Sequence, residues 1–139
     1  MTDTAKVIES IKKNEIEYVD MRFTDPRGKL QHVTVAKDQV DEDFLSTGFM
    51  FDGSSIAGWK SIDQSDMKLI PDCKSAYVDP FYAEKTLCLH CNVVEPDTLE
   101  PYTRDPRSTA IKAEHFLKST GIGDTAYFGP EAEFFLFDD

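Results

Sequence analysis

The chain has 139 residues, enough for one ordinary domain or for a small domain and the beginning of another. Hydrophobic content of 40% and aromatic content of 12% allow a real core and exclude wholesale disorder. The net charge of −11 argues against nonspecific binding to nucleic acid or an anionic membrane, since both reward surplus Lys and Arg. No apolar run approaches the ~20 residues of a membrane span, and the N-terminus lacks signal-peptide features, so we expect a cytoplasmic protein.

The first quarter of the chain predicts a helix and a β-hairpin. Residues 4–14 place apolar side chains at helical spacing, with Asp3 or Thr4 as the predicted cap. Residues 18–24 then alternate between apolar and polar side chains, as in a half-buried strand. The Asp-Pro-Arg-Gly sequence at 25–28 favours a turn, and residues 30–35 return as the partner strand.

The middle of the chain predicts a second short helix and further strands. Apolar residues at helical spacing indicate a helix over 38–45, and residues 67–70, 77–78 and 86–94 read as strands. A hairpin, a helix and later strands describe a small α+β domain, for which we predict the β-grasp topology.

A proline-rich connection follows, at residues 95–107, and we place a domain boundary inside it. The first domain is then 1–101, and the second begins at 102 and runs to 139. Asp105 and Pro106 predict the start of a helix that ends at Gly121.

The last apolar stretch, residues 128–137, reads as a strand with paired acids. Glu131 and Glu133 would share one face, roughly 7 Å apart at about 3.3 Å per residue. Like charges beside a hydrophobic segment need compensation, and carboxylate oxygens suit magnesium and manganese. The alternative is an ordinary Glu-x-Glu at the wet edge of a strand.

Residues 48–60 form a loop of unusual composition, with three glycines, two serines and the single tryptophan of the chain. The Asp52-Gly53 turn would hold a carboxylate close to the serine hydroxyls, a cluster that can receive a small cation or a proton. The alternative is an ordinary turn over the domain's own core. Neither the three cysteines nor the three histidines form a ligand or nucleophile cluster, so we predict structural roles for them.

Several unusual strings occur together and in order: Arg-Phe-Thr-Asp at 22–25, Met-Phe-Asp-Gly-Ser-Ser-Ile at 50–56, Gly-Trp at 58–59, Asp-Pro-Phe at 79–81, Tyr-Thr-Arg-Asp-Pro-Arg at 102–107, and Phe-Gly-Pro-Glu-Ala-Glu-Phe-Phe-Leu-Phe-Asp at 128–138. Their combination closely resembles the N-terminal part of a bacterial type I glutamine synthetase. The resemblance covers all 139 residues, but only the beginning of a family member's length.

The resemblance implies a β-grasp domain followed by the start of a catalytic α/β domain, in a dodecamer of two hexameric rings with active sites between subunits. Asp52 matches an aspartate lent to the neighbouring subunit's site, where it helps bind ammonium and take its proton. Ser55 matches a residue near that ammonium pocket, and Trp59 an aromatic that borders the nucleotide region. Glu131 and Glu133 match glutamates that bind two divalent ions, Mg²⁺ or Mn²⁺. The apolar loop at 48–60 would then dock on the neighbouring subunit.

The implied reaction makes glutamine from glutamate and ammonia, with ATP as substrate and a γ-glutamyl phosphate as intermediate. Two alternatives stay open: a glutamate–amine ligase of the same fold, and a noncatalytic β-grasp assembly module. The family's other metal ligands and its substrate-binding arginines would lie beyond Asp139, so we expect this chain to be inactive alone.

Overall fold

The computed structural model describes residues 2–138, which divide into two compact units that meet between Thr109 and Ala110. The domain boundary predicted between residues 101 and 102 is a different division and stays a prediction. Among the described residues, no helix combines the length and the apolar character that crossing a bilayer requires.

The first unit begins with the helix and the hairpin that the apolar pattern predicts. Helix α1 spans Asp3–Lys13, and the Thr2 side chain caps it by accepting a hydrogen bond from the Ala5 amide. Strand β1, Tyr18–Thr24, pairs antiparallel with β2, Leu30–Ala36. The turn between them is closed by Asp25, whose carboxylate accepts the amides of Arg27 and Lys29 at 2.9 Å each.

Strand β6, Thr86–Val94, is the centre of the sheet. It runs parallel to β1 on one side, and on the other it pairs antiparallel first with β5, Tyr77–Asp79, and then with β4, Asp66–Pro71. The main strand order is β2-β1-β6-β4-β3. A mixed sheet with helices confirms the predicted α+β class.

Strand β3, Phe49–Asp52, was missed by the sequence pattern, which indicates a loop there. It pairs antiparallel with β4 and follows directly on helix α2, Glu42–Thr47, which Asp41 caps. Gly48 makes this abrupt change possible. Its φ is +87°, and a Cβ at this position would lie 2.4 Å from the Leu69 carbonyl oxygen.

The core of the first unit lies on one face of the sheet, where it is covered by α1 and α2. Val19, Met21 and Phe23 project from β1 into it, as the alternation predicts, and α1 contributes Val7 and Ile11. The other face carries a buried polar network around Asp20.

The second unit holds most of helix α3, Pro106–Thr120, and the residues that follow it. The predicted helix start at Pro106 is confirmed, with the Asp105 carboxylate accepting the Ser108 amide at 3.1 Å. The predicted strand over 128–137 is wrong, because residues 122–138 form neither helix nor strand. A strand needs a partner for its amides and carbonyls, and no described strand pairs with this segment.

Candidate functional site

Asp52 is the last residue of β3, and its carboxylate is tied into the turn that follows. Its Oδ1 accepts hydrogen bonds from the Ser54 amide at 2.8 Å and from the Ser54 hydroxyl at 2.6 Å. These bonds, the hydroxyl's foremost, lower the pKa of Asp52 below its ordinary value. The exposed side chain is therefore ionised at neutral pH, and the predicted closeness of carboxylate and serine hydroxyl is confirmed for Ser54.

An ionised, exposed carboxylate can bind a small cation directly. The same hydrogen bonds make Asp52 a weaker proton acceptor, because they stabilise its charged form. In this arrangement, cation binding is therefore favoured over proton abstraction.

The backbone of this turn is fixed by its fit against β4. The Gly53 amide donates to the Ser65 carbonyl at 2.7 Å, and a Cβ on Gly53 would lie 2.4 Å from Cγ of Met67. Gly53–Ser55 forms a short 3-10 turn. Ser55, three positions after Asp52, is exposed. Asp52 and Ser55 are thus presented outward from a rigid support.

Trp59 lies inside the first unit, with 7% of its surface exposed. Its ring packs edge-on against Tyr102, at 5.3 Å between centroids, and contacts Phe23 at 5.4 Å. Ile56 is buried to the same extent. For these two side chains the alternative interpretation, a turn over the domain's own core, is correct; docking on a neighbouring subunit is not needed to explain them. A role for Trp59 beside a nucleotide stays a prediction.

Glu131 and Glu133 are exposed and lie in the second unit, in the segment without regular structure. Their carboxylates fit the oxygen preference of Mg²⁺ and Mn²⁺. Two carboxylates do not complete a site, and residues 2–138 contain no group of three or more His, Cys, Asp or Glu side chains placed to hold a metal ion. The glutamates can therefore supply only part of a coordination sphere.

The structure thus brings Asp52, Ser55 and Trp59 onto one loop, whereas Glu131 and Glu133 belong to the other compact unit. Sequence reasoning missed the contact that ends this loop, in which Arg104 donates to the backbone carbonyls of Gly58 and Trp59. Arg104 belongs to the string at 102–107 that contributes to the family resemblance, but nothing in the sequence says which group its side chain binds.

The three cysteines are free, and they are ill suited to metal or redox chemistry. Cys88 and Cys91 are buried, and burial raises the pKa of Cys88 to about 11, so that its thiol stays protonated. A protonated thiol is neither a good nucleophile nor a metal ligand. The structural role predicted for all three cysteines stays a prediction.

Two family models match the chain in succession. The model described as "Glutamine synthetase, beta-Grasp domain" matches residues 15–96, which confirms the predicted β-grasp topology. The model described as "Glutamine synthetase, catalytic domain" matches residues 103–139.

Individual relatives agree with these matches. The chain is 73% identical over all of its 139 residues to a glutamine synthetase of Cereibacter sphaeroides, of which it covers 30%. It is 56% identical over 133 residues to that of Escherichia coli (strain K12), covering 28% of that protein. A cryo-EM structure of Plasmodium falciparum glutamine synthetase matches 89% of the chain with a TM-score of 0.79 and 26% identity, and the chain covers 24% of it.

The chain therefore spans about 30% of the length of the curated relatives that it matches, and within that span both family models lie in the order of the chain. By these matches, which account for nearly all of its residues, the chain belongs to the glutamine synthetase family.

Proposed function

We propose that the chain is the N-terminal part of an ATP-dependent ligase that makes glutamine from glutamate and ammonia. The observation that carries this proposal is 73% identity, along the full chain, to a glutamine synthetase. In this proposal residues 1–101 are the β-grasp domain, and residues 102–139 begin the catalytic domain.

The proposed reaction has two steps. The γ-carboxylate of glutamate attacks the γ-phosphorus of ATP, which releases ADP and forms γ-glutamyl phosphate. Ammonia then attacks the γ-carbonyl carbon, phosphate leaves, and the amide of glutamine remains. Ammonium must lose a proton before it can attack, because its nitrogen otherwise has no free electron pair.

Asp52 and Ser55 are the residues we assign to ammonium. The exposure of Asp52 and its ionised state support a role in binding the cation. The bonds from Ser54 hold the carboxylate in one orientation, in which it can bind ammonium from solvent. Because they also stabilise the ionised form, the later acceptance of the ammonium proton is the less favourable of its two tasks. Ser55 would donate or accept a hydrogen bond at the same cation.

Glu131 and Glu133 are the residues we assign to two divalent ions, with further ligands from outside this chain. Bound Mg²⁺ or Mn²⁺ would neutralise charge on the phosphoryl oxygens during transfer. The oxygen chemistry and the exposure of both glutamates support this assignment.

We further propose a cytoplasmic dodecamer of two hexameric rings. Asp52 faces outward from its own unit, and this supports a role in the active site of a neighbouring subunit. Trp59, near the end of the loop at 48–60, would border the nucleotide region.

A chimera tests the proposal. This chain would replace the matched 139 residues of the Cereibacter sphaeroides glutamine synthetase, and phosphate release from ATP would be measured with glutamate and ammonium. We expect turnover that requires both substrates. Asp52→Asn should raise the KM for ammonium by about tenfold or more, since a charged hydrogen bond contributes about 1.5–3 kcal/mol. Glu131→Ala with Glu133→Ala should abolish turnover at ordinary magnesium concentrations.

Methylamine offered in place of ammonium separates the two ligase reactions. Faster turnover with methylamine would favour a glutamate–amine ligase. An assembled chimera that hydrolyses no ATP under any of these conditions would contradict the proposal and favour a noncatalytic assembly module. The 139-residue chain alone should release no phosphate.

A further inference from the structure

The loop that carries Asp52 is held at its far end by a residue of the segment 102–107. Arg104 donates from Nη1 to the carbonyl oxygen of Gly58 at 2.5 Å and to that of Trp59 at 3.3 Å. A guanidinium that binds two successive carbonyls fixes the path of the backbone between them. Gly58 has a φ of +84°, a conformation in which its carbonyl can be turned toward the arginine.

The segment that carries Arg104 is itself immobilised on β6. The Tyr102 amide donates to the Val93 carbonyl at 2.9 Å, and the Val93 amide donates back to the carboxylate of Asp105 at 3.2 Å. Asp105 is fully buried. Arg107 adds a bond to Asn92 at 2.8 Å. Arg104 therefore reaches the loop from a rigid base.

Side-chain contacts tie the same two segments together. The Trp59 ring meets that of Tyr102 edge-on, and the Lys60 ammonium lies 5.5 Å from the centre of the Tyr102 ring. Lys60 also donates to Glu95 at 2.7 Å. Together with the bond from Gly53 to Ser65, these contacts fix the loop at both ends.

We propose that Arg104 is a positioning residue: it holds the Gly58–Trp59 end of the loop and thereby sets the place of Asp52 and Ser55. Arg104 lies in the part of the chain that matches the catalytic-domain model, whereas the loop lies in the part that matches the β-grasp model. The contact thus couples the ammonium residues to the start of the catalytic domain. Its catalytic consequence rests on the function proposed above.

Trp59 is the only tryptophan, so its fluorescence reports the docking of the loop in the 139-residue chain itself. In Arg104→Ala we expect red-shifted emission and an acrylamide quenching constant at least about twofold higher, because the loop opens locally without global unfolding. Arg104→Lys keeps the positive charge but lacks the planar guanidinium, so its quenching constant should fall between that of Arg104→Ala and that of the wild type. Arg27→Ala, at an exposed arginine of the β1–β2 turn, is the matched control: it should leave native-state quenching unchanged. Wild-type quenching in Arg104→Ala would overturn the proposal.

The chimera described above supplies the functional test. Arg104→Ala should raise the KM for ammonium by no more than the roughly tenfold expected of Asp52→Asn, with a smaller change in kcat, because a displaced Asp52 loses its charged hydrogen bond to the cation. If Arg104 acts through Asp52, the double variant with Asp52→Asn should be no worse than Asp52→Asn alone. Additive effects would overturn the proposal. An inactive wild-type chimera would instead count against the proposed function, and the quenching experiment would still decide whether Arg104 holds the loop.

Discussion

Asp20 is a fully buried charged residue of the first unit. It has no exposed surface, and its carboxylate accepts hydrogen bonds from Arg22 at 2.8 Å, from Thr34 at 2.7 Å and from His32 at 2.7 Å. Arg22 continues the network to Asp79 at 2.8 Å, which ties β1 to the end of β5. A buried carboxylate with this many donors is stable only while all of them stay in place.

Replacing Asp20 should therefore be costly. In Asp20→Asn we expect the free energy of unfolding to fall by about 3 kcal/mol, the usual cost of removing one partner from a buried ion pair. Urea unfolding followed by circular dichroism would measure it. Asp97→Asn, at an exposed aspartate, should change the free energy by less than about 0.5 kcal/mol. Equal losses of unfolding free energy in Asp20→Asn and Asp97→Asn would contradict a stabilising role for the network.

The same network predicts a pH dependence of stability. Burial would raise the pKa of Asp20, but hydrogen bonds from Thr34, Arg22 and His32 outweigh it, and the pKa lies below the ordinary value of 3.8. The unfolded chain therefore binds a proton more readily than the folded one. The stabilisation is fully present above pH 3.8 and is lost as the pH falls through the lower, folded-state pKa.

We therefore expect the free energy of unfolding of the wild type to fall more steeply between pH 5 and pH 2 than that of Asp20→Asn. The other acid residues shift the two curves together, so the difference between them isolates Asp20. Urea titrations at successive pH values would measure both curves. Parallel curves would show that Asp20 is not the titrating group.

At the scale of elements, the junction between α2 and β3 depends on the absence of a side chain at Gly48. Gly28 and Gly48 have nearly the same φ, +84° and +87°, but only at Gly48 would a Cβ meet a neighbour, the Leu69 carbonyl oxygen at 2.4 Å. Gly48 also has a ψ of −178°, a backbone region adopted essentially by glycine alone, so an Ala there would meet both extra backbone strain and a steric clash.

Gly28→Ala should cost about 1 kcal/mol, the price of left-handed backbone alone. Gly48→Ala should cost about 1–3 kcal/mol more, because the backbone must leave a region adopted essentially by glycine and the β3–β4 pairing must shift to admit the methyl group. Urea unfolding of both variants under the same conditions measures the difference. Equal losses would mean that β3 moves away from β4 without cost.

The elements that the sequence predicts correctly are those whose pattern is local. The alternation of β1 and the capping of α3 by Asp105 depend on neighbours in the chain, and both are confirmed. β3 was missed because its four residues lie between two glycines that indicate a loop. The bond from Arg104 to Gly58 spans 46 positions, and no local pattern encodes it.

At residues 128–137 the error is the reverse of that at β3: a strand is predicted where the structure has none. Its apolar composition predicts a strand, but composition supplies only the tendency to pair. The backbone hydrogen bonds must come from a second strand, and none of the described strands supplies them. Whether Glu131 and Glu133 share one face could therefore not be read from spacing alone.

At the scale of the whole molecule, apolar burial is unevenly distributed. Among the described residues, no buried side chain lies beyond Asp105. The second unit instead exposes large apolar side chains, of which Phe134, Phe135, Leu136 and Phe137 are each 79–88% exposed. The folding free energy of the chain must come almost entirely from the first unit, whereas a continuous run of four exposed apolar side chains lies in the second.

Shortening the chain to residues 1–121 should separate these two properties. We expect the free energy of unfolding to stay within about 1 kcal/mol of the full chain's, because every buried side chain is kept. Binding of the dye ANS should fall, because the exposed apolar run is gone. Light scattering by aggregates in concentrated protein solutions should fall for the same reason. A 139-residue control with Phe134→Ser, Phe135→Ser, Leu136→Ser and Phe137→Ser should behave like the shortened chain in dye binding and scattering. If the free energy of unfolding instead fell by several kcal/mol on shortening, the second unit would have to contribute to the core. The stability of the chain would then not come from the first unit alone.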